Sequence, residues 1–123
     1  MLDEIEFTKW NSFFESINQR NRWRPTRLQV FGLLGKQEAE EGLPLVGFGL
    51  EAKAEGGPRV FIKLGEHDIT DPRHLTHAIS NVTHVMLKQG IDGRDEAVEI
   101  ENVCGERNLL HFQPAPTFST IRG

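Results

Sequence analysis

The chain has 123 residues, a formal charge of -4, a hydrophobic share of 37% and a single cysteine. That length fits one domain able to bury roughly two-thirds of its unfolded surface. The balance excludes a disordered chain and a protein wrapped in nucleic acid over its whole surface, which needs clustered cations. Cys104 alone cannot form an internal disulfide, so nothing asks for an oxidising compartment.

The opening, Met1 to Glu6, is acidic and lacks the basic and apolar regions of a signal peptide. No apolar stretch approaches a membrane span. These features place the protein in the cytoplasm.

The strongest periodic signal follows directly. Trp10, Phe13, Phe14 and Ile17 recur at i, i+3, i+4 and i+7, gathering four bulky groups on one helical face. Thr8 is the expected N-cap, Glu4 and Glu6 suit the positive end of the helix dipole, and the helix should fade near Asn18. So short a helix is marginal alone and needs a surface to cover. Pro25 disfavours helix at Arg24 and turns the chain into a sheet.

Period-two alternation predicts the first strand over Arg27 to Leu34, with Leu28, Val30, Gly32 and Leu34 inward. Gly35 to Gly42, rich in glutamate, reads as a solvated connection. A second strand runs from Leu45 to Ala54, Gly56-Gly57 signals a hairpin, and Val60, Ile62 and Leu64 mark a third strand ending at Gly65. Glu66 to Val82 lacks alternation and reads as one long crossover, with one or two helical turns from Arg73 to Ile79.

Three further strands follow around Val85 and Leu87, Val98 and Ile100, and Leu110 and Phe112. Pro114 and Pro116 then forbid an interior strand, leaving 114–123 as an extended tail. The expected fold is α+β: one domain over 1–113, its N-terminal helix packed on a six-stranded antiparallel meander that could curl toward a barrel, with the crossover between strands three and four.

Trp10, Phe13 and Phe14, the Leu43-Pro44-Leu45 opening, Leu75 to Ile79, and Glu96 to Glu101 followed by a glycine turn and Leu109-Leu110 carry a resemblance. Together they resemble a family of small bacterial proteins catalogued only as a domain of unknown function, family 5335, over Phe7 to Gln113. The resemblance implies a stand-alone bacterial domain and supplies no catalytic residues.

Several constellations could carry chemistry. His67, His74, His77 and His84, interleaved with Glu66, Asp68 and Asp71, have the donor types a borderline metal ion takes, but not the spacing of a zinc-protease helix or finger. Loop and strand-face histidines are the bland alternative. Arg20, Arg22, Arg24 and Arg27 flank Trp23 and could grip phosphates beside a stacking ring. Pairing with carboxylates of the same chain competes with that reading, and the acidic net charge argues against nucleic acid. Cys104 with His111 is a poor dyad, because a turn does not hold an oriented nucleophile and base.

Phe31, Leu33, Phe61 and Met86 fall opposite the expected core positions and would form an interaction surface if they share one face. The leading expectation is a non-enzymatic interaction or homo-oligomerising domain without catalytic residues or cofactor. Metal or small-ligand binding at the histidines, and anion or nucleic-acid binding at the arginine turn, are the alternatives.

Overall fold

The computed structural model describes residues 2–32, 35–65 and 74–113, and of 36–40 only the backbone. Strand β1 (Leu2–Ile5) leads through a 3-10 turn (Phe7–Lys9) into helix α1 (Trp10–Asn21). Seven strands follow: β2 (Pro25–Gly32), β3 (Gly35–Glu51), β4 (Arg59–Gly65), β5 (His74–Ile79), β6 (Val82–Gln89), β7 (Asp95–Asn102) and β8 (Arg107–Phe112). They form one sheet in the order β1-β6-β7-β8-β2-β3-β4-β5. Each neighbouring pair is antiparallel.

The expected architecture of one helix on an antiparallel sheet is present, but with eight strands where six were expected. The extra strands are β1 and β5. β1 is short, acidic and mostly exposed, so it carries no alternation to read; its pairing with β6 makes it a strand. β5 occupies the part of the supposed crossover where helical turns were expected. Its Leu75, His77 and Ile79 are the less exposed residues and alternate with exposed His74, Thr76 and Ala78, a period-two pattern blurred by polar residues on both faces. Residues 66–73 of that crossover, and the tail 114–123, lie outside the described residues.

β3 is also longer than expected. Gly35–Gly42, read as a solvated connection, pairs with β2, whereas Leu45 to Glu51 pairs with β4. One strand thus serves two neighbours in succession, with register shifts in both pairings. Such irregularities increase local twist and bend a strand. The same strand stops at Glu51, short of Ala54, where it was expected to end.

The sheet curls without closing. His77 on β5 reaches Asn108 on β8, with Nε2 2.7 Å from Oδ1, although β2, β3 and β4 separate these strands in the sheet. Only a sheet folded round on itself brings such positions into contact. The rims meet at Ser80–Asn81, where the Val82 N–H donates to Pro58 O (2.9 Å) and the Val103 N–H donates to Asn81 O (2.9 Å).

Inside the curl lies the apolar core: Leu28, Val60, Ile62, Val85, Val98, Ile100 and Leu110 are fully buried. The helix covers it as its spacing demands. Trp10, Phe14 and Ile17 are buried, Phe13 is half-buried, and Phe14 stacks on Phe48 at 5.2 Å.

Both helix ends differ from expectation. Thr8 belongs to the 3-10 turn; the cap position is Lys9, without a side-chain cap bond, and the Trp10 indole anchors the entry by donating to Ile5 O (2.9 Å). The helix continues to Asn21, because that residue extends the buried face by one turn. Trp23 then takes a left-handed conformation (φ 70°) and donates its N–H to Leu45 O (2.8 Å).

Candidate functional site

Two places combine chemistry with access: a cavity beside the C-terminal turn of α1, and the outer edge of β5.

The cavity forms around Asp95, the first residue of β7, which is 6% exposed. A buried carboxylate is costly unless its lone pairs are occupied. Here Oδ2 accepts from Arg20 Nε and Asn21 Nδ2 (both 2.8 Å), and Oδ1 accepts from Gln89 Nε2 (3.0 Å) and Arg20 Nη2 (3.3 Å). Burial pushes the Asp95 pKa up, yet the hydrogen bonds from Arg20, Asn21 and Gln89 and the charge of Arg20 outweigh it and hold the group below its ordinary value.

Arg24 completes the cluster. Its Nη1 donates to Asn21 Oδ1 (2.8 Å) and Asp95 O (3.2 Å), Nη2 reaches Gln113 O (3.4 Å), and the guanidinium lies over the Phe112 ring. Arg94, in the β6–β7 turn, adds a third guanidinium. The resulting cavity of about 420 Å³ is lined by Arg20, Asn21, Arg24, Gly93, Arg94 and Asp95.

Two members of the expected arginine group, Arg20 and Arg24, therefore meet here. Arg22 is exposed and does not line the cavity. Arg27 lies on β2, opposite His111 on one side and Glu41 on the other, with its Nε buried and unbonded. Arg94 and Asp95 escaped the sequence reading. They follow Gly93 in a charged run that resembles any solvated turn, and no spacing rule links them to residues some seventy positions earlier.

The histidines are dispersed. His74 is exposed at the start of β5, His77 bonds Asn108, and His84 Nδ1 lies 2.7 Å from Glu4 Oε2. The Glu4 hydrogen bond raises the His84 pKa above its ordinary 6.5, burial opposes it, and the charges of Glu4 and Glu101 reinforce the rise. His67 lies outside the described residues. Among the described residues no three potential metal ligands gather.

Cys104 is exposed in the β7–β8 turn, while His111 lies far along β8 with Nε2 2.9 Å from Gln29 Oε1. The expected interaction face is also divided. Phe31 carries Arg107 over its ring, Phe61 carries Arg59, and Met86 stands opposite Glu99 and Glu4. β7 and β8 separate Met86 from Phe31 with Glu99, Glu101 and Arg107 on the intervening strands. Leu33 lies outside the described residues.

Phe61 has another neighbour, Ala78 of β5. Among the described residues β5 pairs with β4 alone and ends the sheet. From His74 to Ile79 it contains no charged side chain apart from titratable histidine, and no proline. The opposite terminal strand, β1, carries Asp3 and Glu4. Charges on edge strands deter pairing with another chain, so among the described residues the two ends of this sheet differ: β1 is guarded and β5 is not.

Fold and sites together define a small α+β protein: among the described residues, a single helix on a curled antiparallel sheet with one edge free of Asp, Glu, Lys and Arg, and an arginine-lined cavity. Among the described residues no helix is long and apolar enough to cross a membrane. The chain matches the family described as Family of unknown function (DUF5335) over residues 1–118, and it belongs to that family. No curated protein and no solved structure matches it.

Proposed function

We propose that this protein is a non-enzymatic interaction module that self-associates by pairing the β5 edge of one copy with the β5 edge of another. The uncharged, proline-free edge of six residues carries this reading. Two such strands related by a two-fold axis pair antiparallel with no like charges opposed, whereas β1 against β1 would bring acids together. The single cysteine, exposed and unpaired, supports a reducing bacterial cytoplasm as the setting.

Magnitudes predict a weak dimer. About six backbone hydrogen bonds at roughly 0.5–1.5 kcal/mol each barely match an association cost of about 4–15 kcal/mol. Side chains beside the edge, Thr76, Ala78 and the neighbouring Phe61, must supply the surplus. Light scattering across a concentration series tests this: the mass should rise toward twice 14.0 kDa as concentration increases. Thr76→Lys with Ala78→Lys should hold the protein monomeric. A wild-type protein that stays monomeric at every concentration, or a dimer indifferent to both lysines, overturns the proposal.

A further inference from the structure

We propose that the cavity between the C-terminal turn of α1 and the β6–β7 turn binds the phosphoryl group of a small phosphate monoester. Three arginines, Arg20, Arg24 and Arg94, and one acid, Asp95, line it; Arg20 bonds the Asp95 carboxylate and Arg24 the Asp95 backbone oxygen. Over the lining residues the excess is two positive charges, which Asp92 beside Arg94 reduces toward one, in a protein whose net charge is negative. A phosphate monoester near neutral pH carries between one and two negative charges, which matches that excess. Asp92 lies outside the lining, with Oδ2 3.8 Å from Arg94 Nε; both side chains are well exposed, so water screens their attraction.

The donors are positioned and not exhausted. A guanidinium has five N–H groups. Arg20 uses Nε and Nη2 on Asp95 and Nη1 on Ser16 Oγ, which leaves two. Arg24 uses both Nη1 hydrogens and one on Nη2, which also leaves two. Arg94 makes no hydrogen bond through its guanidinium to any described residue, its contact with Asp92 being too long for one.

Asp95 thus acts as a brace that fixes two cations while leaving part of each fork for a ligand, and planar forks of this kind suit phosphoryl oxygens. The crowding has a cost that an anion would relieve: burial lowers the Arg24 pKa, Asp95 opposes, and the charge of Arg94 lowers it further. The negative end of the α1 dipole also favours cations at this turn. At about 420 Å³ the cavity has room for an organic group beyond the phosphoryl.

Calorimetric titration of the full chain with inorganic phosphate and with glycerol 3-phosphate tests the assignment, using sodium chloride at matched ionic strength and sodium acetate as comparisons. Both phosphates should bind saturably and acetate more weakly. Arg94→Gln should weaken phosphate binding at least tenfold; because Arg94 holds no hydrogen bond through its guanidinium to any described residue, this variant should keep the wild-type melting temperature. Arg22→Gln, outside the cavity, should bind as the wild type does. The assignment is overturned by no saturable phosphate binding above the chloride control, by equal binding of acetate, or by equal losses in the two variants. Binding of a single-stranded oligonucleotide without binding of either phosphate overturns it too.

Discussion

Asn18 and Phe48 bond to each other in both directions: the Asn18 amide Nδ2 donates to Phe48 O at 3.0 Å, and the Phe48 N–H donates to Asn18 Oδ1 at 2.7 Å. A helical side chain thereby completes the hydrogen bonding of β3 beyond its pairing with β2. A Cβ at Gly47 would lie 3.5 Å from the Asn18 amide, an ordinary van der Waals contact, so the approach does not itself demand glycine. Asn18→Ala removes both bonds and leaves two backbone groups seeking water. Since the site is partly solvated, we expect a loss of about 1–3 kcal/mol, read as a lower urea midpoint at unchanged slope.

The Asp95 cluster gives stability an acid limit. Its folded pKa lies below the ordinary 3.8, so its stabilisation is complete above that value and is lost as pH falls through the folded one. Asp95→Asn should cost about 2 kcal/mol at neutral pH, a figure reduced for the half-exposed Arg20. Chemical denaturation of both proteins from pH 7 down to pH 2 should show the difference constant at first and then shrinking. A difference that persists undiminished to pH 2 contradicts the account.

His84 behaves in the opposite sense. Its folded pKa is raised above 6.5, so its contribution is complete below 6.5 and disappears as pH rises through the folded value. An NMR titration should place the His84 midpoint above 6.5, and Glu4→Gln should bring it down. Because this pair ties β1 to β6, amide exchange at Glu4 and Ile5, corrected for intrinsic rates, should accelerate over the same rise in pH.

Gly57 is fixed by a close approach. Its φ is 135°, and a Cβ there would meet Asn81 Oδ1 at 3.0 Å and Asn81 Cα at 3.3 Å. Backbone cannot swing aside as a side-chain tip can. Gly57→Ala should therefore lower stability by about 1–3 kcal/mol, measured by thermal or urea unfolding. Gly93→Ala, with nothing within 4 Å and a positive φ of 81°, should cost less and separates the contact from the backbone strain.

Much of the fold was legible where a residue's neighbours along the chain also decide its burial. The aromatic stripe from Trp10 to Ile17 and the alternations at Val60, Ile62 and Leu64 or at Val98 and Ile100 each show their own period, and these residues are the core, with Phe13 half-buried against it. β5 was not legible, because its inward face includes His77, whose partner Asn108 lies thirty-one residues away. The cavity was half legible: Arg20 and Arg24 stand out as a cluster, but Arg94 and Asp95 gain their meaning only from the helix turn placed against them.

By itself, then, the sequence determined the amphipathic helix, the antiparallel strands with the clearest alternation, and the turns at glycine pairs, since these follow from local periodicity and backbone preference. Only the tertiary structure decided that the sheet has eight strands, that it curls until β5 faces β8, and that Asp95 is buried among arginines. Those outcomes depend on pairings between distant segments, where the hydrogen bonds and charges of one segment are satisfied by another and leave no periodic trace in either.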